Sequence, residues 1–266
     1  MGSRWPSVRA GSAGIAGDSG RSVAVAMDVS IGGLVAALVA VAAGTAVQAT
    51  IGFGVNLVAV PVVALVAPEA LPATLVLLAV PLAVAMVVRE HHHVDRSGLA
   101  WALTGRLPGT VAGVWIVTAV SDDTLSTIVG VTVVVAVVMS VASPPIPVRP
   151  DTALVAGVVS GLMGTATSIG GPPLALLYQH HEGPVLRSTL AGSFTAGTVI
   201  SLTALAIGGE VSSDDLRFAL MLLPGLAAGA VIAPTLARRV DARYLRPAVL
   251  GFAAVTGTLA IVRGIL

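Results

Sequence analysis

Lysine and cysteine are both missing from the 266 residues, and each absence closes off chemistry. Without lysine there is no P-loop phosphate site and no Schiff-base cofactor, so the chain cannot itself be an ATP-driven pump of the P-loop type. Without cysteine there is no disulfide and no thiolate metal site. Charge is also scarce: charged residues make up 10% of the chain against 56% hydrophobic, and the mean hydropathy is +0.97. That balance excludes an ordinary soluble domain. No cofactor, resident metal or nucleic-acid partner is expected.

What is present is a series of long charge-free runs, at 29–68, 124–148, 152–179, 188–209, 218–237 and 247–262. Each reaches or approaches the roughly 20 residues that cross a bilayer as helix. The expected fold class is therefore an all-α polytopic membrane protein, multi-pass in a cell inner membrane, with lipid as its immediate partner. Residues 1–27 lack the apolar core of a secretory signal and read as a disordered tail, or as an extension upstream of a chain that begins at Met27. The expected divisions are a first transmembrane repeat over 28–142, a proline-rich linker over 143–151 and a second repeat over 152–266. Prolines 144, 145, 147 and 150 keep the linker from being helical.

The two halves match internally. Ile51-Gly52 pairs with Ile169-Gly170, Pro68 with Pro184, and Leu107-Pro108-Gly109 with Leu223-Pro224-Gly225, at a nearly constant offset. Each half also holds an interrupted apolar segment. In the second, Gly170-Gly171-Pro172-Pro173 ends one helix and starts another, flanked by Thr165, Thr167 and Ser168. In the first, Gln48, Thr50, Gly52, Gly54 and Asn56 form a weaker break. Broken backbone in lipid is tolerated only where protein or a watery cavity covers it, and paired breaks in two halves point to a transporter's binding site.

Counting the short pieces after the breaks as crossings gives ten segments in inverted halves; counting them as re-entrant gives eight. The ten-segment reading puts Arg89, Arg96, Arg149, Arg187, Arg238, Arg239, Arg243 and Arg246 on the cytoplasmic face, as the positive-inside bias requires. Asp122 and Asp123 then lie outside with Glu210, Asp214 and Asp215.

The stretch from Gly164 to Tyr178, with Leu186-Arg187-Ser188-Thr189, resembles the second-half signature of the sulfite exporter TauE/SafE family. Gly52-Phe53-Gly54 through Val60-Pro61 is similar to that family's first glycine-rich motif. The resemblance implies an inner-membrane permease for sulfite, sulfonates or related small organosulfur anions, and no enzyme.

Helix ends at the breaks could hold a small oxyanion through backbone N–H groups. The amides of Gly54, Val55, Asn56, Gly170, Gly171 and Leu174 are candidates, with the side chains of Gln48, Thr50, Asn56, Thr165, Thr167 and Ser168. The bland alternative is that the glycines serve packing and the hydroxyls bond back to their own helices. Arg106, two turns inside an apolar segment, could attract the anion or snorkel to the interface. Arg187 could collect anions at the mouth or merely anchor the cytoplasmic end. His91-His92-His93 reads as a solvated loop rather than a metal site. A channel is the nearest competing class; an intramembrane hydrolase using Ser160, Ser168 or Ser193 lacks a histidine at membrane depth.

Overall fold

Prolines, glycines and caps cut the apolar chain into helices, two of them within the charge-free run 29–68. The computed structural model describes residues 29–51, 54–142, 145–240 and 242–265. The reading of 1–27 as a tail, and Gly52 at the first break, lie outside the described residues. Those residues form ten α-helices: α1 (Ile31–Ile51), α2 (Val55–Val66), α3 (Ala73–Arg89), α4 (Arg96–Ala119), α5 (Asp122–Ala142), α6 (Pro150–Thr167), α7 (Gly171–Tyr178), α8 (Gly183–Ile207), α9 (Ser213–Arg239) and α10 (Ala242–Ile265). A 3-10 turn at Pro68–Ala70 joins α2 to α3. Five of the helices are long and apolar enough to cross a membrane, with α2 and α3 shorter and apolar. The protein is all-helical and polytopic among its described residues.

Several helices begin earlier than hydropathy alone implies, because their first turns are polar but capped. Asp95 accepts a hydrogen bond from the Gly98 amide and starts α4 at Arg96 rather than near Leu99. Ser212 and Asp215 form a reciprocal capping box that starts α9 at Ser213. Pro150 and Pro184 sit in the first turns of α6 and α8, where a missing N–H costs nothing.

Small residues set the packing. Gly105, Gly109 and Gly113 of α4 lie on the backbone of α6 at Leu154, Val158 and Leu162, while Gly157 and Gly161 of α6 lie on α4 at Ala102 and Arg106. A Cβ at Gly105, Gly109, Gly157 or Gly161 would strike a backbone atom, and one at Gly113 the Thr165 side chain, so close approach is what they provide. Gly225 and Gly229 of α9 meet Leu38 and Ala42 of α1 in the same way. The order of these contacts shows that α4 runs parallel to α6, and α1 to α9. By the same reasoning α2 folds back antiparallel on α1, with Gly44 at Val55 and Gly33 at Val66, and α5 opposes α10, with Gly130 at Gly257 and Gly264 at Thr127.

The remaining packing ties these pairs together. α3 packs antiparallel on α8, where Thr195 donates to the Ala83 carbonyl at 2.9 Å and Thr189 accepts from the Asp95 amide at 3.0 Å. Gln48 and Met86, near the C-termini of α1 and α3, touch at 3.0 Å, and Thr74 and Asp215, near the N-termini of α3 and α9, bond at 3.1 Å. Arg89, Arg96, Arg149, Arg187, Arg238 and Arg239 therefore share one end of the bundle. Glu69, Asp123, Glu210, Asp214 and Asp215 share the other.

Candidate functional site

At the second break α6 stops because Ser168 adopts the left-handed conformation, φ 61°, which few side-chain-bearing residues do. The break is held in place by residues about a hundred positions earlier: Ser168 donates its hydroxyl to the Pro72 carbonyl at 2.9 Å, and Asn56 donates its amide to the Ser168 carbonyl at 2.5 Å. α7 restarts at Gly171 with Pro172 and Pro173 in its first turn. At the first break Gly54 has φ 124°, a conformation that glycine alone takes without strain, and α2 restarts at Val55. Gln48 reaches forward to accept from the Val55 amide at 3.0 Å.

Between the two breaks lies a cavity of about 70 Å³, sized for a few waters or one small anion. Its lining combines polar side chains, those of Gln48, Asn56, Arg106, Ser168, Thr198 and Ser201, and the backbone of Gly54, Gly164, Gly170 and Gly171 with the apolar side chains of Leu57, Val76, Ala79, Leu82, Met86, Ile169 and Phe194.

Arg106 is the one charged residue in this lining. It lies ten residues into α4, about 15 Å along the axis, and is 5% exposed. Rather than reaching for the helix end, its guanidinium turns inward. Nη1 donates to Ser160 at 2.9 Å and Nη2 to Ser201 at 3.3 Å, while Nε has no partner among the described residues. No carboxylate pairs with it among the described ion pairs. Gly164 and Gly197 clear the space that the guanidinium occupies, while Gly170 lies against the backbone of Ser160 and Gly164.

Of the residues that the sequence nominated, Gln48, Gly54, Asn56, Arg106, Ser168, Gly170, Gly171 and Pro172 line the cavity together. Thr165 sits behind it, bonded to Ser201 and Thr110. Thr50 and Thr167 donate back to the Ala46 and Met163 carbonyls of their own helices, and lie outside the lining. Arg187 also stands apart, in an ion pair with Glu90 at 3.4 Å and 46% exposed at its side chain. The Val55 amide is taken by Gln48, and the hydroxyls of Ser160 and Ser168 by the Gly170 and Pro72 carbonyls.

Sequence reasoning missed Ser201, Gly197, Thr198 and Phe194 of α8, and weighed Ser160 only as a nucleophile. The signal was the spacing 194, 197, 198, 201, one face of a helix. Outside the cavity, Asp95 accepts from the Tyr178 hydroxyl at 2.8 Å, and Tyr178 packs on His181. Burial alone would raise the Asp95 carboxyl, but the Gly98 amide, the Tyr178 hydroxyl and the Ser97 amide together hold it below its ordinary value.

A family model for the sulfite exporter TauE/SafE matches residues 36–259, from α1 to α10, and so takes in both breaks and Arg106. The chain belongs to the TauE/SafE family. Neither the curated proteins nor the solved structures give a significant match. As a TauE/SafE protein the chain is a multi-pass membrane transporter, and sulfur anions are the cargo that the family's description points to.

Proposed function

We propose that this TauE/SafE protein moves sulfite, a small sulfonate or a similar small organosulfur anion across a bacterial inner membrane by secondary or facilitated transport, holding it at Arg106 between the two breaks. The observation that carries this reading is a buried guanidinium, without a carboxylate partner among the described residues, in the lining of a small cavity. An arginine at bilayer depth costs about 2.5–3.5 kcal/mol even on the mildest scale. Neutral hydroxyls orient such a group but do not neutralise it, so an anionic cargo is the missing complement. The polar groups of the lining suit an oxyanion, and its apolar side chains suit a short organic substituent.

Packing alone accounts well for the glycines between α4 and α6, which touch backbone. It accounts poorly for Gly164 and Gly197, where an added Cβ would come within 3 Å of the Arg106 guanidinium. The inverted arrangement is supported by the helix directions. Exchanging α1–α5 for α6–α10 carries the α1–α9 pair onto α6–α4, and leaves α3–α8 and α5–α10 as self-pairs. With the directions above, α1 and α6 run oppositely, and the end with more arginines is the cytoplasmic one, Arg217 and Arg263 lying at the other.

Proteoliposomes loaded with sulfite or ethanesulfonate test the reading. Wild type is expected to release both with saturable kinetics, and Arg106→Gln to lose that flux while still inserting and remaining folded. Equal flux from wild type and Arg106→Gln would overturn it.

A further inference from the structure

We propose that Ser160, Ser201 and Thr165 are positioning residues that set the orientation of the Arg106 guanidinium, and that Gly197 is the gap that admits it. The inference rests on the reading of the cavity as an anion site, and goes beyond it by assigning roles on α6 and α8 away from the anion itself.

The directions of the hydrogen bonds carry the argument. A serine hydroxyl has one proton and two lone pairs, and an arginine has donors only. Ser160 therefore accepts from Arg106 Nη1 and spends its own proton on the Gly170 carbonyl. Thr165 donates to Thr110 at 3.3 Å, so the 2.8 Å contact between Thr165 and Ser201 must use the Ser201 proton. That leaves a Ser201 lone pair for Arg106 Nη2. Both chains run away from the guanidinium: Arg106 to Ser160 to Gly170, and Arg106 to Ser201 to Thr165 to Thr110.

Two consequences follow. The hydroxyl protons are committed within the protein, so these groups offer no donor to an anion, and Thr165, nominated from the sequence as a direct ligand, acts from the second row. The guanidinium is held at both Nη atoms by neutral oxygens, which leaves Nε and the second N–H of each Nη without a protein partner among the described residues. All four hydroxyl residues are fully or almost fully buried, with Ser160 and Thr165 at 0% exposure. The Ser160 link also joins the charge to Gly170, hence to the second break. A Cβ at Gly197 would stand 2.7 Å from Nε and closer to Cζ, which forbids this placement of the guanidinium.

The test uses full-length protein in proteoliposomes, with sulfite and ethanesulfonate as probes and half-saturation separated from maximal flux. Ser201→Ala removes an acceptor from a charged donor, and is expected to raise the half-saturation concentration about tenfold for both probes with little change in maximal flux. Ser201→Thr, which keeps the hydroxyl, is expected to restore it. Ser160→Ala is expected to act in the same direction, and Gly197→Ala to behave as Arg106→Gln does. Wild-type half-saturation in both Ser160→Ala and Ser201→Ala would overturn the positioning role while leaving the permease reading intact. A wild type that transports neither probe would defeat the permease reading, and the positioning role with it.

Discussion

Arg106 and Arg187 carry the same charge and were nominated together, yet their surroundings predict opposite behaviour. Arg187 is half exposed and paired with Glu90, the kind of surface ion pair worth about 0–1 kcal/mol. Arg187→Gln should therefore change sulfite half-saturation by no more than about threefold. Arg106 is buried without a countercharge, so its replacement should remove saturable transport; the pair of variants, assayed side by side, checks the distinction. Arg106 was visible in the sequence as a charge deep in an apolar run. Its holders were not, because Ser160 and Ser201 lie 54 and 95 positions away, and no pattern within one helix tells a hydroxyl facing its own backbone from one facing a neighbour. Thr167 and Thr165 illustrate this: two positions apart, one bonds its own helix and the other bonds α8.

Among the elements, α4 and α6 depend on backbone contact. Gly109→Leu should cost at least about 3 kcal/mol or prevent folding, since the added side chain meets the Val158 backbone. Gly251→Leu on α10, where nothing lies within 4 Å, should leave the thermal midpoint in detergent unchanged. The short α7 is tied down at its far end through Tyr178 and Asp95. Because the folded Asp95 carboxyl titrates below its ordinary 3.8, its stabilising contribution is complete above that value and is lost as pH falls through the lower folded one. Asp95→Asn should lower the melting midpoint at neutral pH and flatten its fall below about pH 4. The breaks themselves were legible because Gly and Pro punctuate helices by local sterics. Helix starts were less so: Arg96 and Ser213 look like loop residues on a hydropathy scale, and only their caps keep them helical.

For the molecule as a whole, the chain's lack of cysteine gives a clean background for topology. Single cysteines at Asp122 and Arg239 are expected to label from opposite faces of the membrane, and labelling from one face would rule out inverted halves. The cavity lining contains no carboxylate, histidine or lysine among the described residues, so proton coupling has no donor there. Net efflux of ethanesulfonate, whose charge does not titrate, should accelerate when the interior is made negative, by up to about 2.3 kcal/mol of driving force per 100 mV, and should ignore a pH gradient. The sequence offers matching motifs at a nearly constant offset, whereas the packing of α1 against α9 and of α4 against α6 could not be read from it, since that is decided by which glycine stripes meet. The most direct measurement is labelling of a single cysteine at Thr198, on the cavity wall but absent from the sequence-based candidates. A membrane-impermeant maleimide is expected to modify it, with ethanesulfonate slowing the reaction in the wild-type background but not with Arg106→Gln. A cysteine that never reacts, or that reacts equally fast with and without ethanesulfonate, would contradict an anion seated between the breaks.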